Sequence, residues 1–200
     1  MSRAVSSLRA LWGDGPVDTR LLCIGYPVLS LTAPLLARMA PGMVAAPLCC
    51  VRTVLQQHHV WSLFLSILYR PIQHFSSVLM VLVETYLSLA FLPERERDLG
   101  SLRFLGWALL ATGAVNVLFL VEMLVLRAVA GPHYGLNCSQ GLWPLLLVCL
   151  TLRAAGSPRE PVGVLGLVYV PSRWYPALLG ALLSLLSGAV LWDAAAALAV

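Results

Sequence analysis

The stretch Phe104–Leu126, FLGWALLATGAVNVLFLVEMLVL, decides how this chain folds. It carries a single charged residue, Glu122. As a helix it would rise about 34 Å at ~1.5 Å per residue, enough to cross a hydrocarbon core of roughly 30 Å. No ordinary soluble domain needs so long an apolar run.

Four similar runs surround it: Leu21–Met39, His74–Leu92, Tyr134–Leu152 and Trp174–Trp192. Leu191–Val200 looks like the start of a sixth helix, but ten residues rise only about 15 Å and cannot span. Across the 200 residues 60% are hydrophobic and 11% charged, where about 25% charged is usual in soluble domains. The expected fold class is therefore all-α, a polytopic membrane bundle with five full spans and a partial sixth. It would occupy residues 21–200 behind a cytosolic tail at 1–20.

All thirteen basic residues are Arg, and they set orientation more than binding. With the N-terminus in the cytosol, nine lie inside: Arg3, Arg9, Arg20, Arg95, Arg97, Arg103, Arg153, Arg159 and Arg173. Four lie outside: Arg38, Arg52, Arg70 and Arg127. The bias favours N-inside. Arg residues scattered between apolar runs do not suggest a nucleic-acid partner. Asp14 and Asp18 argue against a transit peptide in the N-terminal stretch, and the late, long first run argues against a secretory signal.

The segment Ala40–Gln73 is largely apolar but broken by Pro41, Pro47 and Pro71. It reads as a half-buried interfacial loop, with Trp61 and Tyr69 at headgroup level. Cys23, Cys49, Cys50, Cys138 and Cys149 have no metal-ligand spacing. Their odd number and adjacent pair give no disulfide framework, and they read as small packing residues. Asn137-Cys138-Ser139 matches a glycosylation sequon but abuts a hydrophobic run. No cofactor or metal motif is present.

Glu84 sits mid-run and Glu122 near the end of its own. An ionised carboxylate at mid-bilayer costs about 2.5–3.5 kcal/mol on insertion scales, so both should face the bundle interior. One reading is a polar cavity for a client helix or a proton path. The other is an acid bonded to a neighbour such as Asn116 or Ser139. Ala177 with Ala181, and Ser184 with Gly188, are spaced for close helix packing.

Several patterns together resemble the rhomboid superfamily. His59-Val60-Trp61-Ser62 looks like the Trp-Arg loop motif of rhomboids and derlins, with Ser62 where Arg is usual. Glu96-Arg97-Asp98-Leu99-Gly100-Ser101 resembles the Glu-x-x-x-Gly-Ser turn between helices two and three. Tyr134-Gly135 through Gly141 sits where rhomboids carry Gly-x-Ser-Gly, with Ser139 at the nucleophile position. Pro171–Pro176 and LLSLLSG look like helix five of derlins and UBA-domain relatives, and Asp193 falls where those relatives begin helix six.

The resemblance implies a Ser nucleophile, a His base on helix six and an oxyanion-binding Asn on helix two. Here Asn137 and Gln140 replace the two Gly residues, Glu84 stands at the Asn position, and Met80 stands where a His is common. The chain ends at Val200, where the family's Gly-His would follow, which suggests truncation within helix six. His74 and His133 match no family base. Without a base a Ser hydroxyl is a weak nucleophile. Ser139 is then expected to cap and pack at the mouth of the fourth helix, where Trp143 and Pro144 mark a kink.

The resemblance therefore implies a pseudoprotease that binds membrane clients or partner proteins in endoplasmic-reticulum quality control. The alternatives are an atypical intramembrane serine protease and a structural subunit of a large membrane complex, which could be mitochondrial. Membrane lipids and transmembrane proteins are the expected partners. Trp61, Glu84, Glu96, Gly100, Ser101, Gly141 and Pro176 carry the family pattern. Glu96 should accept bonds from backbone groups or Arg97, and Gly100 should let two helices approach closely.

Overall fold

The computed structural model describes residues 16–39, 49–72, 74–157, 161–164, 168–187 and 192–199. The N-terminal stretch to residue 15, Pro41, Pro47, Gln73, Arg159 and Gly188 lie outside the described residues, so the readings placed on them are not addressed. The fold is all-α. Its helices are α1 (Val17–Met39), α2 (Phe75–Leu99), α3 (Ser101–Val129), α4 (Trp143–Gly156), α5 (Tyr175–Ser187) and α6 (Trp192–Ala199). Two short antiparallel ladders accompany them: β1 (Cys49–Cys50) with β2 (Cys138–Ser139), and β3 (Pro161–Val164) with β4 (Val168–Pro171).

Among the described helices, α2 and α3 are long and apolar enough to cross a membrane. The inner face of α3 carries Phe104, Ala108, Ala111, Val115, Phe119 and Met123, at helical spacing. Its outer face is just as apolar, with Leu110, Val117, Val121 and Val125 exposed. A helix apolar all round that is not wholly enclosed suits a lipid neighbour.

The fourth run departs from expectation. Tyr134–Leu152 is not one helix, because α4 begins only at Trp143. Ahead of it come a 3-10 turn (Pro132–Leu136), β2, and Gly141 at φ +84°. A positive φ of this kind interrupts an α-helix, and Pro144 then suits the first turn. The resulting helix has 14 residues and rises about 21 Å. It is the core: every residue from Gly141 to Leu150 is buried. α2, α3, α5 and α6 all pack against it.

The loop before α2 is ordered from Cys49 to Ile72 as β1, a π-helical turn at Arg52–Gln56, a helical turn at Ser62–Leu65 and a 3-10 turn at Ser66–Leu68. Trp61 is exposed as expected and stacks on His59 at 4.7 Å between ring centroids. Tyr69 is not at the surface; it is buried in the core. α3 pins this loop through Asn116, whose Nδ2 donates to the Leu63 carbonyl at 2.6 Å and to Ser66 Oγ at 2.7 Å. Asn116 therefore does not serve Glu84. The small-residue expectation for α5 also shifts. Ala177 and Ala181 are exposed, and α5 approaches α6 at Gly180, where a Cβ would lie 3.9 Å from the Ala194 Cβ.

At the opposite end of α2, the turn into α3 is a single residue. Gly100 closes α2 by donating its N–H to the Glu96 carbonyl at 2.8 Å, and its own carbonyl accepts from Phe104 N–H at 2.9 Å. The Glu96 carboxylate accepts from the N–H groups of Asp18 (3.0 Å) and Thr19 (2.7 Å) and from the Ser101 hydroxyl (2.6 Å). The first-turn N–H groups of α1 have no partner within their own helix, and an anion there also meets the positive end of the helix dipole. Glu96 thus caps α1 from another helix.

Gly100 is not a point of close approach, since a Cβ there would have nothing within 4 Å. Glycine is required by the backbone, at φ +78° and ψ 149°. Gly100→Ala should therefore cost about 1–3 kcal/mol through strain alone and lower the thermal midpoint in detergent. An unchanged midpoint would contradict this turn geometry.

Candidate functional site

Glu84 lies mid-way along α2, a helix otherwise apolar around it, and its side chain is wholly buried. A carboxylate in such a place needs several partners at once. Its Oε1 pairs with Arg70 Nη2 at 2.5 Å. Its Oε2 accepts from the Tyr26 hydroxyl of α1, and from the backbone N–H of Leu142 at 3.1 Å. Neither Asn116 nor Ser139 is the partner.

Arg70 closes the loop before α2 and is buried. Its backbone N–H donates to Ser30 Oγ of α1 at 3.1 Å, and Nη2 also reaches the Gln140 carbonyl at 3.3 Å. Asp193, in the first turn of α6, faces the same centre. Its carboxylate interacts with Arg70 and Glu84 and accepts from the backbone N–H groups of Gln140 and Ala194. Among the described residues the direct ion pair at this centre is Arg70 with Glu84, and Asp193 adds a second buried negative charge within its electrostatic reach.

Gly141 sits inside this cluster. A Cβ on it would fall 2.6 Å from Glu84 Oε2, 2.9 Å from the Tyr26 hydroxyl and 3.2 Å from Arg70 Nε. Its N–H donates to the Ser66 carbonyl at 2.9 Å and the Tyr69 carbonyl at 3.1 Å. Both the left-handed φ and the lack of space demand glycine here. The entry to α4 is thereby tied to α1, α2, α6 and the loop before α2.

Ser139 is close to this centre along the chain but takes no part in its hydrogen bonds. Its side chain is fully buried and Oγ has no hydrogen-bond partner among the described residues. It lies in β2, opposite Cys49, and does not cap α4, whose N-cap is Leu142 with no side-chain bond. His74 is exposed at the start of α2, and His133 is exposed with its ring 4.2 Å from that of Tyr134. Neither bonds the Ser139 hydroxyl. The sequon asparagine is turned to the core side chain Met123, its Nδ2 donating to Sδ at 3.7 Å.

Cys50 and Cys138 form a disulfide across the β1–β2 ladder, 88 residues apart in sequence. This overturns the expectation that the cysteines form no disulfide. Cys23, Cys49 and Cys149 are free and buried. The bridge pins the loop before α2 to the segment that feeds Gly141 into the ion-pair cluster.

Of the residues singled out in the sequence, the structure brings Glu84 and Gly141 together, and joins Glu96 and Ser101 at Gly100. Trp61 lies on the exposed loop, and Pro176 is buried in the first turn of α5. Tyr26, Ser30, Arg70 and Asp193 were missed as partners. No local motif marks them; only the need of a buried Glu84 for a cation could have prompted a search. No family model, curated protein or solved structure matches the chain.

The buried charges order the mutational costs. Arg70→Leu leaves Glu84 without its counter-ion, and Asp193 without a nearby positive charge, and should cost about 3–5 kcal/mol, read as a lower thermal midpoint. Glu84→Leu leaves Arg70 within the field of Asp193 and should cost less. The reverse order would show that Arg70 does not offset both carboxylates.

Proposed function

We propose that the chain is a non-catalytic, multi-pass membrane protein of rhomboid-like type that binds membrane clients or partner proteins, in the endoplasmic reticulum. The observation that carries the non-catalytic part is the Leu142 N–H bound to Glu84 Oε2 at 3.1 Å. Acyl transfer at Ser139 would need free donors nearby for a developing oxyanion. The nearby N–H of Leu142 holds a carboxylate instead, and that of Gly141 is bonded to two loop carbonyls.

The apolar outer faces of α1, α2 and α3, exposing Val28, Leu82 and Val121 among others, support contact with lipid and with membrane-embedded partners. The disulfide supports the compartment. Disulfides persist where the medium is oxidising, as in the endoplasmic-reticulum lumen. The Arg bias puts the Cys50 loop and the start of α4 on the non-cytosolic side, so two unrelated observations agree on orientation. A protease-sensitive tag at Met1 should accordingly be cleaved in intact microsomes, and its protection would reverse the topology.

Ser139→Ala separates the inactive from the active reading. Because the hydroxyl is buried without a partner, its removal should be neutral or stabilising by up to about 1 kcal/mol. The native chain should resist a fluorophosphonate probe. Labelling that disappears in Ser139→Ala would establish a serine hydrolase and overturn the proposal.

A further inference from the structure

At the end of the molecule opposite the disulfide, α2 and α4 finish side by side around a cavity of about 130 Å³. Its polar lining is Glu94, Arg95, Asp98 and Arg153, and Phe91 and Cys149 contribute apolar surface. Two guanidinium groups and two carboxylates make it neutral overall. Their states of engagement differ. Arg153 Nη1 pairs with Glu94 Oε2 at 2.7 Å, but both side chains are about half exposed, and exposed pairs are weak and easily exchanged. Arg95 has its guanidinium carbon 5.3 Å from the Trp107 ring centroid, while its Nε is buried with no hydrogen-bond acceptor. Asp98 is exposed.

A guanidinium lying over a ring with its Nε lacking an acceptor, with a second one in a replaceable pair, suits a phosphoester, which Arg binds through parallel N–H donors. The carboxylates of Asp98 and Glu94 lie near the C-termini of α2 and α4, where the helix dipoles also favour a cation. A net anion would gain little from a neutral pocket. A molecule carrying phosphate and ammonium together would satisfy both halves.

Position selects the source of that molecule. This cavity belongs to the Arg-rich side of the bundle, at the level where apolar helix gives way to charged turn. Leu152, on its lining, is 41% exposed and offers an apolar path away from the charges. We infer that this cavity holds the headgroup of a cytosolic-leaflet phospholipid with a primary ammonium, the phosphate on Arg95 and Arg153 and the ammonium on Asp98 and Glu94. A primary ammonium offers three N–H donors to the carboxylates, whereas a quaternary one offers none.

The inference rests on the membrane reading above. Alkaline carbonate extraction of microsomes tests that reading separately, since release of the chain into the supernatant would defeat it whatever lipid binds. The site itself is tested by native mass spectrometry of the full chain in detergent, with equimolar phosphatidylethanolamine, phosphatidylcholine and phosphatidylglycerol of one acyl composition. Phosphatidylethanolamine should be retained over the other two. Arg95→Gln and Asp98→Asn should each reduce that retention by roughly tenfold, the loss of one charge-assisted hydrogen bond, with the thermal midpoint of the lipid-free protein unchanged. Preference for phosphatidylglycerol, equal retention of all three, or full retention by both variants would overturn the assignment. Displacement of the lipid by an equal concentration of soluble glycerophosphoethanolamine would move the site to a soluble phosphoester and overturn the lipid proposal.

Discussion

The pairing of Glu84 with Arg70 is the constraint on which the rest of the interior depends. A lone carboxylate or guanidinium in that position would be costly, because the surrounding side chains are apolar and both groups are buried away from solvent. Together they satisfy one another only if the loop before α2 folds back into the bundle, carrying Arg70 with it. Tyr26 then adds α1, and the Leu142 N–H adds α4. Buried ion pairs are weak sources of stability but can select one arrangement over others. Here the arrangement selected is the entry point of α4, a helix whose own first half offers only apolar side chains and so no directional information.

α2 acts as the organiser at two depths. Near the Arg-rich end Glu96 caps the first turn of α1, and about three helical turns away Glu84 takes the Tyr26 hydroxyl of the same helix. Two polar contacts separated along one interface fix register as well as proximity, which apolar packing alone does poorly. Gly100 then reverses the chain in a single residue, so that α3 returns beside α2 and supplies Asn116 to hold the loop that carries Arg70. The disulfide closes the same circuit covalently, joining that loop to the segment ahead of Gly141.

Much of this was legible in the sequence, and for a physical reason. Hydropathy registers length and composition, which is why the long helices α2 and α3 could be read directly. Glu84 in the interior and Glu96 bonded to backbone groups follow from the cost of leaving a carboxylate unpaired. The choice of partner was not legible. Glu84 finds Tyr26 and Leu142 each 58 residues away, and no spacing rule connects them. A charge count gives Arg70 a side of the bundle but no depth, so its burial beside Glu84 could not be read from it. The start of α4 was misplaced because Tyr134–Leu142 carries no charge and was joined to the apolar run that follows it, while its true conformation is set by a tertiary feature, the crowding at Gly141. The cysteine pairing failed for a related reason, since an odd count conceals one bridge among free thiols.

Ser139 shows how a residue can keep a suggestive place in the chain while its surroundings decide what it does. Its hydroxyl is enclosed, and the polar atoms closest along the chain are committed: Gln140 to Arg70 and Asp193, Gly141 to the loop carbonyls, Leu142 to Glu84. A hydrolytic site requires donors held in readiness but unbonded, at a cost in stability that the folded state must carry. In this chain those donors are used to hold the fold together. The same backbone groups cannot anchor α4 and receive an oxyanion at once, and the proposed non-catalytic role rests on that competition.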